Sequence, residues 1–175
     1  MSDFRFIKEV EITSGVTSVE LHNVFNSNFD VYKVTLDNVS TVGTTTSDLG
    51  LRFIQVDGTV NTEYQYNYAQ QLQKTDAAFG TQNGADTGLL YAFGACNQLP
   101  YTTHGVLHIF NPAKDRRTLI KIQNSYSLGA SLGRSSPGVG VFRIYNEMSG
   151  ISIYSNNSQP LATGKIRVYG YRMVF

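Results

Sequence analysis

The stretch "DVYKVTLDNV", residues 30–39, alternates cleanly: Tyr32, Val34 and Leu36 are apolar, and Lys33, Thr35 and Asp37 between them are polar. A period of two sends successive side chains to opposite faces, as in a strand with one wet face; an amphipathic helix repeats every 3.6 residues instead. The segment "TEYQYNYAQ" (62–70) alternates more strictly still, with Tyr64, Tyr66 and Tyr68 on one side and Gln65 and Asn67 on the other. Upstream, "LRFIQV" (51–56) meets Asp57-Gly58, a favoured turn pair, and reads as a strand feeding the tyrosine strand through residues 59–61. Further strands are predicted at 4–12, 17–24, 88–94, 105–111, 118–126, 140–146, 151–155 and 164–174. That makes about ten in all, separated by Gly, Asn and Ser turns, which points to an antiparallel sandwich or barrel. Only residues 68–80, "YAQQLQKTDAAFG", offer a turn or two of helix, and the Gly/Ser stretch 127–140 reads as a flexible loop.

The chain closes on "GKIRVYGYRMVF", where basic and aromatic residues alternate. Ile166 and Val168 share one face, and Lys165, Arg167, Tyr169 and Tyr171 share the other. This is the pattern of a half-buried closing strand whose long side chains cover its exposed face.

Composition narrows the function. With 175 residues and no internal repeat, residues 1–175 are expected to form one domain with a sizeable core. Fourteen basic against thirteen acidic residues leave a net charge of +1, too little for a protein that grips nucleic acid by charge. Only 15% of residues are charged, so Ser, Thr, Asn, Gln and Tyr must cover much of the surface. Such surfaces lose water more cheaply than charged ones and suit extended contact with proteins or sugars. The start of the chain lacks the apolar run of a signal peptide, and no stretch is long enough to span a bilayer. A cytoplasmic site of synthesis and no membrane partner are the expectation.

Side chains that carry chemistry are scattered. His104 and His108 are four apart on a strand, ~13 Å by strand rise and too far for one metal ion. Glu9 and Glu11 face the same way, ~7 Å apart, but on the wet face of a strand rather than across a cleft. Cys96 has no neighbouring base and reads as a buried thiol. No nucleophile elbow and no phosphate-binding loop is present in the sequence, so no catalytic residue, metal or cofactor is expected. Eleven tyrosines and no tryptophan make Tyr64, Tyr66 and Tyr68 candidates for either core packing or a contact surface. The segment "AKDRRTLIK" concentrates Lys114, Arg116, Arg117 and Lys121; Lys114, Arg116 and Arg117 are the candidate charged contacts to another protein.

The order of segments carries a resemblance. The opening "FRFIKEVEITSGVTSVELHNVFNSNFDVYKVTL", then "LGLRFIQVDGTVNTEYQYNY", "GVLHIFNP" with "RRTLIKIQNSY", and the ending "ISIYSNNSQPLATGKIRVYGYRM" resemble, in that order, a group of bacteriophage virion proteins. The resemblance implies a jelly-roll β-sandwich used in capsid decoration, tail fibres or tail-tip appendages, and location in the virion. The jelly roll would begin within the first dozen residues, and no heptad repeat offers a trimerising stalk. The expectation is therefore a non-enzymatic capsid decoration (cement) protein bound to the major capsid protein or another virion protein. A small tail-associated protein that binds a host glycan is the alternative. The low charge and the Gly/Ser stretch lead us to expect a homo-oligomer, a trimer, with residues 127–138 ordering on assembly.

Overall fold

The computed structural model describes residues 3–13, 15–76, 78–130 and 132–172. Among them lie twelve strands: β1 (Asp3–Ile12), β2 (Ser18–Leu21), β3 (Val31–Thr41), β4 (Ser47–Gln55), β5 (Tyr66–Lys74) and β6 (Phe79–Thr87), followed by β7 (Leu90–Cys96), β8 (Thr103–Phe110), β9 (Thr118–Gly129), β10 (Leu132–Phe142), β11 (Met148–Ser155) and β12 (Leu161–Arg172). Eight of them form one antiparallel sheet in the order β1-β12-β3-β8-β9-β10-β5-β6, and four form a second in the order β2-β11-β4-β7. The fold is thus an all-β sandwich of two antiparallel sheets, with twelve described strands where the sequence predicts about ten. Sequential strands β1 to β4 alternate between the sheets, as do β7 and β8, and β11 and β12. The sequential hairpins β5–β6, β8–β9 and β9–β10 all lie in the larger sheet.

Alternation explains the core. Tyr32, Val34 and Leu36 on β3, Leu107 and Ile109 on β8, Ile120 and Ile122 on β9, and Ile166 and Val168 on β12 all point inward. They meet Leu49, Leu51 and Phe53 of β4, Phe93 of β7, and Ile151 and Ile153 of β11. Each large aliphatic or aromatic side chain removed from water contributes about 1.5–3 kcal/mol, which is what holds the two sheets together.

Two expectations need correction. Residues 68–74 are strand, 75–76 a turn and 79–80 strand again, because Ala69, Gln70 and Gln71 pair with Asn83, Gln82 and Thr81 across β5 and β6. Residues 127–138 are not a free loop either: β9 and β10 pair from Thr118↔Phe142 to Ser127↔Gly133. Pro137, which lacks an N–H, sits where the β10–β5 ladder passes over Ser136 and Pro137. The Asp57-Gly58 turn does form, with Gly58 at φ 88° and its N–H donating to the Gln55 carbonyl at 3.0 Å. It folds β4 back only as far as the Ile54–Val60 bridge, after which the chain crosses to β5 in the other sheet. The last residues of the closing run, Met173 to Phe175, lie outside the described residues.

Candidate functional site

One end of the sandwich gathers the connections β2–β3, β4–β5, β8–β9 and β10–β11. Register fixes this, since Phe110 lies opposite both Val31 and Leu119, and Phe142 opposite both Tyr66 and Thr118. The Arg143 N–H donates to the Gln65 carbonyl at 3.0 Å, and its guanidinium donates to the Tyr64 carbonyl at 3.2 Å and pairs with Asp86. The Met148 N–H donates to the Pro112 carbonyl at 2.8 Å, which ties the β8–β9 turn to the start of β11.

The sequence candidates separate here. Arg116 and Arg117 are exposed, and the Arg117 guanidinium lies 5.4 Å from the ring centroid of exposed Tyr145, within cation–π range. Lys114 is instead committed to Asp30, with both side chains partly buried. Tyr64, 74% exposed, stands on the β4–β5 connection at this same end. Tyr66 and Tyr68 do not join it: both point into the core, and burial pushes the Tyr68 hydroxyl up to about 12. The predicted three-tyrosine face fails because the chain bends before β5, where the Gln65 N–H donates to the Glu63 carbonyl at 2.9 Å. Of that trio, Tyr64 alone is available to a partner.

The outer face of the large sheet carries a second constellation. A bulge between Phe6 and Lys8 flips the side-chain parity of β1 against β12. Phe4 and Phe6 therefore share the outer face with Glu9 and Glu11, while Ile7 and Val10 pack on the core. Across the ladder, Phe4 stacks on Tyr169 with ring centroids 4.8 Å apart, meets Tyr171 at 4.6 Å, and Phe6 meets Tyr169 edge-on at 5.7 Å. Phe4 and Phe6 remain 48% and 59% exposed, so this aromatic group is open to solvent.

Beside it runs an ion-pair network. Arg167 Nε donates to Glu9 Oε2 at 2.5 Å and its Nη1 lies 3.7 Å from Asp37; Lys165 lies 3.9 Å from Glu11. Asp37 also lies 3.1 Å from His104 Nδ1. Phe4, Tyr169, Lys33, Thr35, Asp37, His104 and Arg167 line a shallow groove of about 430 Å³. Glu9 and Glu11 are thus held by cations on an open face, not set across a cleft.

His108 is bracketed by Lys33 and Lys121, its register partners on β3 and β9. Burial first, then these two ammonium groups, hold its pKa below the usual histidine value. His22 pairs with Glu20 at 2.9 Å on the other sheet, and among the described residues no three His, Cys, Asp or Glu side chains group as a metal requires. Cys96 is buried, donates weakly to the Ser47 carbonyl at 3.4 Å, and is pushed up to about 12 by burial and then by Asp48. Sequence reading missed the aromatic group and the basic row, because both are assembled by cross-strand register and by a bulge.

No protein-family model matches the chain, and no curated protein matches it. Among solved structures, the CBM2 module of the evolved Dit protein from Lactobacillus casei BL23 phage J-1 is similar over 94% of this chain and 76% of that one, at 9% identity and a TM-score of 0.27. A likeness this slight carries no weight for fold or function. No described helix is long and apolar enough to cross a membrane.

Proposed function

We propose that this chain is a non-enzymatic structural protein of a bacteriophage particle, a capsid decoration protein that fastens to the outer lattice through the loop end of its sandwich. The single observation that carries the reading is the meeting of Tyr64, Arg116, Arg117 and Tyr145 as exposed side chains at one end. Tyrosine and arginine concentrate in protein contacts, since they combine large apolar area with directed hydrogen bonds. The ordered resemblance to virion proteins supplies the context. Binding is passive: the chain recognises the assembled lattice and not the free subunit, and so stabilises assembly by mass action. A closed trimer around a lattice axis would let each copy present this end to a joint between subunits.

The test is a competition for sites on particles stripped of the protein. Arg116→Ala with Arg117→Ala leaves the fold intact, because both side chains face solvent, and lowers occupancy against wild type, most clearly at low salt, where the wild type's charged contacts are least screened. Tyr64→Ala acts in the same direction. Full occupancy by all these variants would remove the loop end from the contact.

A glycan-binding role in a tail-associated position is the second reading. The observation favouring it is the solvent-open aromatic group of Phe4, Phe6, Tyr169 and Tyr171 beside a hydrogen-bonding groove.

A further inference from the structure

We propose that the outer face of the large sheet holds a binding site for an acidic saccharide. Its acid group would sit over Lys33, His108 and Lys121, and its sugar ring against the aromatic surface of Phe4, Phe6 and Tyr169. The site is separate from the loop end and stands or falls independently of it.

Charge accounting on this face locates the acid group. Its acids are already matched: Glu9 with Arg167, Glu11 with Lys165, and Asp37 with both Arg167 and His104. Among the described residues, Lys33 and Lys121 form no ion pair, so their charge is left for a ligand. They are register partners of His108 on either side, so their backbones stand about 10 Å apart, two strand spacings. Two lysine side chains reach inward over that span to hold one anion above the imidazole. The charged groups that face His108 from the neighbouring strands are these same two cations, Lys33 from β3 and Lys121 from β9. Repulsion among the three is relieved when an anion arrives.

The same cross-strand row identifies the rest of the ligand. Continuing past Lys33 it reaches Tyr169 and then Phe6, so the cations run directly into exposed aromatic surface. Sugar C–H faces pack on such rings, and their hydroxyls need fixed donors and acceptors nearby. The network of Arg167, Asp37 and His104 provides these, already oriented by its mutual bonds. The groove is shallow and open, which suits a chain of linked rings better than an inserted peptide side chain. Carboxylate and sulfate sugars share the required chemistry.

The experiment is a residue-resolved NMR titration of the whole chain with oligogalacturonate, a chondroitin sulfate oligosaccharide, a neutral malto-oligosaccharide and a poly-glutamate peptide. One or both acidic saccharides should shift Lys33, His108, Lys121 and Tyr169, and the neutral sugar should not. Lys33→Gln with Lys121→Gln should weaken binding roughly tenfold or more, as expected for lost charge-assisted bonds. Tyr169→Leu, which keeps bulk without the ring, should weaken it as well. Affinity should rise between pH 7.5 and 5.5, as the bound anion draws a proton onto His108. Response to only one acidic saccharide supports the site and fixes its acid group. No shift with either one, equal binding of the neutral sugar, or poly-glutamate binding as tightly as the acidic sugars would overturn it. The last result would point to an acidic protein face instead. None of these variants touches Tyr64, Arg116 or Arg117, so failure here leaves the decoration reading standing.

Discussion

The hydroxyl of Tyr66, on β5 in the large sheet, accepts a hydrogen bond from the backbone N–H of Phe53, on β4 in the small sheet, at 2.8 Å. The two rings stack with centroids 6.1 Å apart, and Phe142 closes the group at 4.9 and 5.2 Å. The contact crosses the sandwich where β4 hands the chain to β5. Tyr66→Phe keeps the ring but strands the Phe53 N–H in the core, at a cost of about 1–3 kcal/mol. Urea unfolding measures this directly. Unchanged stability would show that Phe53 finds another acceptor.

Two glycines separate backbone strain from crowding. Gly94 on β7 has φ 69°, and a Cβ there would run into the Tyr126 ring on β9. Gly58 has φ 88° but nothing within 4 Å of a Cβ. Gly58→Ala should therefore cost about 1–2 kcal/mol from the left-handed backbone alone, and Gly94→Ala clearly more. Equal melting temperatures for the two variants would contradict the close approach of β7 to β9.

Much of the fold was legible where a strand has one buried and one wet face. β3 and β12 show it: Val34 with Val168, and Leu36 with Ile166, are inward-facing register pairs, and their polar neighbours face water. The missed strands, β6 and most of β10, lack that contrast. Along β6, "FGTQNGADT", every side chain is exposed or only partly buried, so no apolar period exists to be read. On β9 and β10, inward positions are filled by Asn124 and Ser136, paired in register; Asn124 hydrogen-bonds the Ala92 carbonyl, a partner visible only in three dimensions. The site was half legible. The exposed basic turn could be read from its charges, whereas the burial of Tyr66 and Tyr68 depends on which sheet β5 joins.

Cys96 should be silent toward thiol reagents while the chain is folded. Burial and the nearby Asp48 carboxylate push its pKa up to about 12, so the reactive thiolate is scarce at pH 8. Ellman's reagent should react only after urea is added. Prompt labelling of the native protein would mean that the β4–β7 edge opens readily.

His108 fixes the sign of one pH effect on stability. Its folded-state pKa lies below 6.5, so the unfolded chain takes up the proton first. The contribution of neutral His108 is present above pH 6.5 and is lost as pH falls below it. Melting curves between pH 7.5 and 5 should show a smaller acid loss in His108→Gln than in wild type. An equal or larger loss in the variant would contradict the cationic surroundings described for this residue.

The central claim, that this chain cements a particle, is tested most directly by heating. Particles with and without the protein are warmed in the presence of a dye that reports released genome. Decorated particles should hold their genome to a higher temperature. Adding wild-type protein to bare particles should restore that temperature, and adding the Arg116→Ala, Arg117→Ala double variant should restore it less. Release at the same temperature from bare and decorated particles would contradict the claim.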